Sequence, residues 1–208
     1  MRPGLLACAC IQGVQSMGIA ATVKHFCCNN QEDNRTGVSA NISQRALREI
    51  YLRAFEIAVK EGKPWTVMSS YNRVNGKHVC NTYDLCTKVL REEWGFEGIV
   101  MTDWGTKEGT VKAVKAGNDL MEPGAQVEID RIIAAVKAGE ITQEELDRNV
   151  RRMLEFIVRT PRFNGYKYSN KPDLQAHAEL VRKATPEGLV LLENNGVLPL
   201  KNVKTVAL

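Results

Sequence analysis

The sequence predicts an α/β fold in which parallel strands are joined by crossover helices, as in the second half of a (β/α)8 barrel of the TIM type. Short apolar runs alternate with stretches of helical periodicity, which is the rhythm of a parallel sheet. The apolar runs contain few polar residues, as expected of strands covered on both faces. About 140 residues show this rhythm, whereas a complete barrel takes about 250. We therefore expect a partial barrel.

Four apolar runs predict the strands of this sheet. Each is short, and each is followed by a polar or turn-forming residue. The first run becomes polar only at its end, where Lys24 and His25 stand. The predicted strands are residues 19–26, 65–71, 98–102 and 118–121.

Helical periodicity fills the intervals between the runs. From Ser43 to Glu61 the apolar residues recur at helical spacing, and Gly62 ends the pattern. Thr142 and Glu145 form a capping box that opens the last helix before Pro161. The other predicted helices are residues 84–94, a short one around 111–114, and 129–136.

The chain divides by composition into three parts. Residues 1–160 carry the barrel rhythm, and the N-terminal residues 1–10 are interpreted as the remnant of an amphipathic helix rather than a signal peptide. Residues 161–172 are polar, aromatic and turn-rich, which predicts a linker. Residues 173–208 begin with a helix interrupted near Pro186, and residues 188–200 and 203–208 resemble a first strand without its sheet. We interpret residues 173–208 as the truncated start of a second α/β domain.

The composition narrows the range of partners and cofactors. The formal net charge is only +4, and no basic run is longer than a pair, so a nucleic-acid partner is not expected. No apolar run approaches the roughly 18 residues of a bilayer span, so no membrane is expected. The six cysteines form no C-x-x-C pair, which favours buried thiols and predicts no metal or cofactor. A disulfide between Cys80 and Cys86 is the alternative.

Functional side chains of parallel α/β folds gather where the strands end. In this sequence those ends supply a lysine, a histidine, a tyrosine, a tryptophan and a carboxylate, a set suited to a polyhydroxylated substrate. The amine, imidazole and phenol groups bind hydroxyls, and the indole offers a flat face to a sugar ring. The residues are Lys24 and His25, Ser69 to Tyr71, Thr102 to Trp104, and Glu122.

Asp103 is the strongest catalytic candidate, because it follows a buried strand and precedes the turn at Trp104 and Gly105. An ionised carboxylate there can attack an anomeric carbon and form a covalent glycosyl intermediate. The equally supported alternative is that Asp103 caps the next helix. Lys24 at a strand end is also compatible with a Schiff-base nucleophile. Residues 29–35, including Arg35, read by composition as a solvated loop.

Four motifs in order resemble glycoside hydrolase family 3, and in particular its bacterial β-glucosidases. The similarity runs from about Leu5 to the last residue, and residues 188–200 resemble the link into the family's second domain. The motifs are Lys-His-Phe at 24–26, Asn-Asn-Gln-Glu-Asp-Asn-Arg at 29–35, Ser-Ser-Tyr-Asn-Arg-Val-Asn-Gly at 69–76, and Trp-Gly-Phe-Glu-Gly-Ile-Val-Met-Thr-Asp-Trp-Gly at 94–105.

The resemblance implies a retaining exo-glycosidase that hydrolyses a terminal β-D-glucosyl residue from a β-glucoside or short oligosaccharide. Asp103 matches the family's nucleophile, and no metal is needed for this chemistry. The substrate-binding residues implied by the match are Lys24 and His25 for the hydroxyls of the terminal sugar, Tyr71 beside the nucleophile, Trp104 against the sugar face, and Arg35 from the loop.

The same resemblance implies that part of the machinery lies outside this sequence. Family members carry an earlier half-barrel with another sugar-binding aspartate and an arginine, and their acid/base glutamate lies beyond the position of Leu208; Glu193 is too early to match it. We therefore expect a poor catalyst that needs a second copy or a complementary chain to cover the open barrel. The alternative is a sugar-binding or assembly module without turnover.

Overall fold

The computed structural model describes residues 2–105 and 108–205. The chain forms two compact units, Met1–Tyr166 and Lys167–Leu208. The first contains all the strands of the described residues, and the second contains one helix and a short 3-10 turn. No helix within the described ranges is long and apolar enough to cross a membrane.

A parallel sheet forms the centre of the first unit. Its strands are β1 (Thr22–Phe26), β3 (Thr66–Ser69) and β6 (Ile99–Thr102), in the order β1-β3-β6. β3 and β6 are buried along most of their length, whereas β1 alternates between exposed and partly buried residues. Both neighbours of β3 run parallel to it, which confirms the predicted α/β class.

Helices connect and cover the strands. The longest helical stretch, residues 44–62, begins after Ser43, whose hydroxyl caps it by accepting from the Ala46 amide at 3.2 Å. It ends at Lys63, which has a left-handed backbone conformation. The helices are α1 (Arg2–Ser16), α2 (residues 44–62, with wide π-type turns at Leu47–Tyr51 and Ala58–Gly62), α3 (Asp84–Glu93, also π-type), α4 (Thr110–Ala116), α5 (Gln126–Lys137) and α6 (Gln143–Arg159).

The predicted capping box of α6 is confirmed. The Thr142 hydroxyl accepts from the Glu145 amide at 3.2 Å, and the Glu145 carboxylate accepts from the Thr142 amide at 2.9 Å. Each side chain thus satisfies a backbone donor that the helix itself leaves free.

A second, smaller sheet was not predicted from the sequence. It contains β2 (Ser39–Ala40), β4 (Arg73–Val74) and β5 (Lys77–His78), and its two-residue strands are too short to show a periodicity. Asn75 and Gly76 join β4 to β5 with positive φ angles of 50° and 85°, as a tight hairpin turn requires.

The largest apolar cluster lies between the central sheet and the helices α2 and α3. Phe26 is fully buried at its centre and packs edge-to-face on Phe55 and on Trp94, with ring centroids 5.4 and 6.0 Å apart. Because Phe26 ends β1, this packing fixes the end of the strand at which the candidate site lies.

Two buried polar side chains, those of Asp119 and Asn118, bond the sheet to the helices around it. The Asp119 carboxylate is fully buried and accepts from Arg91 at 2.5 Å, from Arg152 at 2.9 Å and from the Val100 amide at 2.9 Å. Burial lowers the pKa of Arg91 to about 10, against the opposing effect of Asp119. These bonds hold β6 against α3 and α6.

Asn118, also fully buried, bonds to four separate segments. Its side-chain oxygen accepts from the Ser69 hydroxyl at 2.8 Å, and its amide donates to the Cys80 carbonyl at 2.7 Å and the Ala113 carbonyl at 2.9 Å. The Asn118 carbonyl accepts from Asn149 of α6 at 3.0 Å. Asn118 therefore connects β3, the 3-10 turn Val79–Asn81, α4 and α6.

Two strand predictions are met only in part. Residues 118–121 contribute a single parallel bridge, between Leu120 and Met101, because the side chains of Asn118 and Asp119 turn into buried hydrogen bonds at this point. Residues 188–200 and 203–205 form no paired strand, and the described residues of the second unit hold no sheet for them to join, as the expectation of a strand without its sheet implies. Residues 206–208 of that prediction lie outside the described part of the chain.

The second unit contains the predicted helix near Asp173. This helix, α7, spans Leu174–Ala184, and the Asp173 carboxylate caps it by accepting from the Ala176 amide at 2.9 Å. A 3-10 turn, Thr185–Gly188, follows at the predicted interruption near Pro186.

Candidate active site

The candidate site lies where the three strands of the central sheet end. Phe26, Ser69 and Thr102 occupy neighbouring register positions, so the residues that follow them meet at one edge. Asp103 continues β6 and donates its amide to the Ser69 carbonyl at 3.1 Å, so its backbone is held against β3.

Three neighbours hold the Asp103 carboxylate. Its Oδ1 accepts from the Trp104 amide at 2.8 Å, and its Oδ2 lies 3.5 Å from Nε2 of His25. Tyr71 forms a side-chain hydrogen bond to the same carboxylate. The Asp103 side chain is 11% exposed, so one carboxylate is presented at the sheet edge by the backbone, an imidazole and a phenol.

Tyr71 is the donor in its bond with Asp103, because the phenol carries the proton and the carboxylate oxygen accepts it. Burial raises the pKa of Tyr71, and the charge of Asp103 and the hydrogen bond to it raise the pKa further. Arg35 opposes this shift, with its guanidinium carbon 5.2 Å from the centroid of the Tyr71 ring. The raised pKa means that the phenol keeps its proton beside the Asp103 carboxylate.

The loop before β2 brings Arg35 to this site. Arg35 also forms an ion pair with Glu32, at 2.9 Å between Nη1 and Oε2, which directs the guanidinium from its own loop. Residues 29–35, interpreted by composition as a solvated loop, thus place the Arg35 guanidinium over the Tyr71 ring.

Trp104 and Lys24 occupy more open positions. Trp104 is 63% exposed, so its indole lies at the rim while its amide holds Asp103. Lys24 is exposed on β1 and lines a groove of about 500 Å³ with Ile11 and Val14 of α1. Of the six predicted residues, His25, Arg35, Tyr71, Asp103 and Trp104 are brought together, and Lys24 lies beside α1.

The helix-cap interpretation of Asp103 is wrong. The next helix, α4, begins at Thr110, and its N-cap residue is Gly109. The Asp103 carboxylate instead accepts from the amide of Trp104 in a loop, so it is free of the capping role.

A buried histidine that contacts the backbone of Tyr71 was not predicted from the sequence. His78 is buried, its Nδ1 lies 2.8 Å from the Tyr71 carbonyl, and its Nε2 accepts from Arg73 Nε at 3.1 Å. Glu108 lies 3.4 Å from Arg73 and 3.7 Å from His78. The Asn75–Gly76 turn was the available signal, because a hairpin there pairs residue 73 with residue 78.

The described residues contain no group of three or more His, Cys, Asp or Glu side chains placed to hold a metal ion. Cys80 and Cys86 are not joined by a disulfide. Cys86 donates to the Val79 carbonyl at 3.2 Å, and burial raises its pKa well above the ordinary value.

Comparison with known proteins places the chain among sugar hydrolases. Residues 4–156 match the glycosyl hydrolase family 3 N terminal domain. The chain is 44% identical over 194 residues to an exo-alpha-(1->6)-L-arabinopyranosidase of Bifidobacterium breve, covering 91% of this chain and 25% of that protein. It is 44% identical over 202 residues to a beta-glucosidase of Rhizobium radiobacter, covering 93% of this chain and 24% of that protein.

The structural likeness extends over the same region. Beta-glucosidase 3B from Thermotoga neapolitana, solved in complex with glucose, superposes with a TM-score of 0.90 at 50% identity, covering 95% of this chain and 29% of the other. The parallel sheet is thus part of a TIM-type barrel region, as predicted. The chain spans about a quarter of the length of the curated relatives that it matches. Since the family match covers most of the sequence, the chain belongs to glycosyl hydrolase family 3.

Proposed function

We propose that this chain supplies the nucleophile and part of the terminal-sugar site of a retaining exo-β-glucosidase. The observation that carries the proposal is the Asp103 carboxylate, held between the Trp104 amide, His25 and Tyr71 at the carboxyl edge of the sheet. Among the described residues this carboxylate forms no ion pair with a lysine or arginine, so it is oriented there without such a partner.

In the proposed reaction an oxygen of Asp103 attacks the anomeric carbon of a terminal β-D-glucosyl residue. The bond from the anomeric carbon to the leaving oxygen breaks, and that oxygen takes a proton from a general acid. Water then gives a proton to the conjugate base of that acid and attacks the anomeric carbon, so that the bond to the Asp103 oxygen breaks and the carboxylate is restored. The protonated Tyr71 phenol donates to Asp103, so it steadies the carboxylate before attack and after release.

The sugar contacts follow from the chemistry of the surrounding groups. His25 and Arg35 offer N–H donors to ring hydroxyls, and the exposed Trp104 indole offers a flat apolar face. We also assign Lys24 to this hydroxyl-binding group, which requires its exposed side chain to turn from the α1 groove. The relatives include both a beta-glucosidase and an arabinopyranosidase, so the substrate class is a terminal pyranoside.

The domain assignment belongs to the same proposal. Residues 1–160 are assigned to the second half of the catalytic barrel, residues 161–172 to a linker, and residues 173–208 to the beginning of a second α/β domain. The assignment rests on the barrel rhythm of the sequence and on the resemblance of residues 188–200 to the family's interdomain link.

A sugar-binding role without turnover is the second candidate. Retention needs two carboxyl groups about 5–5.5 Å apart. Among the described residues, the Asp103 carboxylate contacts the imidazole of His25, the phenol of Tyr71 and the backbone amide of Trp104. This set binds and positions a sugar, but it does not supply a carboxylic acid for the leaving group.

The test is intact mass after incubation with a 2-fluoro glucosyl donor that carries an activated leaving group, because such a donor needs no general acid. We expect a single glycosyl adduct that maps to Asp103 and is absent in Asp103→Asn. The matched control, Asp130→Asn, changes an exposed carboxylate of α5 and should label like the parent chain. A folded parent chain without adduct, but with a saturable quench of tryptophan fluorescence by glucose, supports the binding role instead.

A further inference from the structure

His78 is a buried histidine that the proposed sugar chemistry does not use. It lies on β5, and its side chain is only 3% exposed. Nδ1 of its ring lies 2.8 Å from the Tyr71 carbonyl oxygen, and Nε2 lies 3.1 Å from Nε of Arg73. Both ring nitrogens therefore have a partner, and one of these partners is the backbone of a candidate-site residue.

The two partners determine which ring nitrogen of His78 carries the proton. The guanidinium Nε of Arg73 can only donate, so Nε2 of His78 must offer its lone pair. A carbonyl oxygen can only accept, so Nδ1 must donate to Tyr71. Together these bonds select the neutral imidazole with its proton on Nδ1, because an imidazolium would direct a second N–H at the N–H of Arg73.

Glu108 holds Arg73 in this arrangement. Its Oε1 lies 3.4 Å from Nη2 of Arg73 and 3.7 Å from Nε2 of His78, so the guanidinium is the nearer of the two groups. Glu108 belongs to the segment between β6 and α4 that begins with Asp103. The ion pair therefore ties the segment that contains the proposed nucleophile to the hairpin that contains His78.

The backbone of Tyr71 lies beside that of Asp103. β3 and β6 are in register at their last residues, so the segments that follow them run side by side. The Ser70 amide donates to the Phe26 carbonyl at 2.7 Å, which holds the residue before Tyr71, and His78 holds the Tyr71 carbonyl itself. With its backbone held at both points, the Tyr71 phenol reaches the Asp103 carboxylate and donates a hydrogen bond to it.

We propose that His78 is a positioning residue for this site, which through its Nδ1–H bond to the Tyr71 carbonyl keeps the Tyr71 phenol within hydrogen-bond reach of Asp103. Arg73 and Glu108 keep the proton of His78 on Nδ1. The inference rests on the proposed function, because it takes the Asp103 carboxylate to be the nucleophile. His78 acts through Tyr71 rather than on the reacting atoms.

The first test is the ¹⁵N NMR spectrum of the full chain labelled at its three histidines, His25, His78 and His177. The signals of His78 are identified by their loss in His78→Asn. We expect the parent chain to show His78 with a protonated Nδ1 and an unprotonated Nε2. A parent chain in which Nε2 of His78 carries a proton overturns the proposal, and this measurement requires no activity.

The second test is the titration of Tyr71, read as the difference in phenolate absorbance between each chain and the same chain with Tyr71→Phe. In the parent chain burial raises the pKa of Tyr71, and the charge of Asp103 and the hydrogen bond to it raise the pKa further. His78→Phe keeps a ring but no donor for the carbonyl, so the phenol should move from Asp103 and its pKa should fall toward the ordinary value. His78→Asn places an amide N–H near the position of Nδ1 and should keep the parent titration.

The matched control for a loss of stability is Thr142→Ala, which removes the cap of α6 and should leave the Tyr71 titration unchanged. If His78 only stabilised the hairpin, His78→Phe would behave in the same way as this control. An unchanged Tyr71 titration in His78→Phe, or an equal fall of the pKa in His78→Asn, therefore overturns the proposal.

The link to the proposed function is read separately, from the rate at which the 2-fluoro glucosyl donor labels Asp103. We expect His78→Phe to lower the limiting rate constant of labelling by up to about 100-fold, because the group that orients the nucleophile is displaced. The donor concentration at half-saturation should change little, and His78→Asn should restore most of the rate.

An unchanged rate constant in His78→Phe contradicts the positioning role, whatever happens to the affinity for the donor. If the parent chain takes no label, the proposed function fails, whereas the histidine spectrum and the Tyr71 titration still decide the role of His78.

Discussion

The buried carboxylate of Asp119 offers the sharpest test of what holds the sheet together. In Asp119→Asn the amide oxygen can still accept from the Val100 amide, but Arg91 and Arg152 lose their counter-charge. The Arg152 side chain is 22% exposed and can turn to water, whereas the Arg91 side chain is only 7% exposed and is left charged inside the protein.

The size of the effect follows from this asymmetry. Removing one partner of a buried ion pair costs about 3–5 kcal/mol, chiefly because the other charge remains buried. Since only one of the two guanidinium groups is trapped, we expect the lower end, about 3 kcal/mol, in the free energy of unfolding. The control Glu49→Gln breaks an exposed pair with Arg45 on α2 and should cost about 0.3–0.5 kcal/mol.

Urea unfolding measures both variants, and an unchanged slope with denaturant shows that the midpoint reports stability. The double variant Arg91→Met with Asp119→Asn should be more stable than Asp119→Asn alone, because it removes the trapped charge. The reasoning fails if Asp119→Asn costs no more than Glu49→Gln, or if the double variant is the less stable of the two.

Two further predictions concern local geometry, and two concern the titration of Tyr71. Gly98→Ala should lower the free energy of unfolding by about 1–3 kcal/mol, because the added Cβ comes within 2.2 Å of the Trp65 carbonyl oxygen. The control Gly13→Ala on α1 places its Cβ in open space and should raise the free energy of unfolding by about 0.5–1 kcal/mol. Equal effects of the two variants in thermal unfolding contradict the close packing at Gly98. Thr142→Ala should cost about 1 kcal/mol by loss of the capping box, and an unchanged urea midpoint argues against it. Asp103→Asn should lower the pKa of Tyr71 toward its ordinary value, seen in phenolate absorbance, because the charge and the accepting carboxylate are lost while burial remains. In the parent chain the raised pKa of Tyr71 means that stability falls as pH rises through the ordinary tyrosine range near pH 10, since the unfolded chain releases that proton first; a Tyr71→Phe variant should lose that part of the decline.

The sequence predicted the parallel sheet well where strands are buried on both faces. β3 and β6 read as apolar runs because three of the four positions along each strand are buried, and their ends were therefore visible at Ser69 and Asp103. The run at 118–121 looked similar, but Asn118 and Asp119 are buried there by hydrogen bonds to distant residues, which a local pattern does not report. Burial of a polar side chain depends on partners that periodicity does not contain.

The residues of the candidate site also differ in how far a local sequence pattern could predict them. Position at strand ends indicated His25, Tyr71 and Asp103, which the structure brings together. Arg35 was invisible by composition, because its role depends on the loop folding back over Tyr71. His78 was missed because its bond to the Tyr71 carbonyl depends on a hairpin of two-residue strands.

The four-way bonding of Asn118 also determines how the first unit opens. One amide side chain satisfies the Ser69 hydroxyl and two carbonyl groups, and its backbone holds α6, so the separation of any one element leaves buried polar groups without partners. Such elements open together rather than one at a time. The slowest amide protons of β3, α4 and α6 therefore share one opening free energy in hydrogen exchange, and that part of the chain behaves as a single cooperative unit.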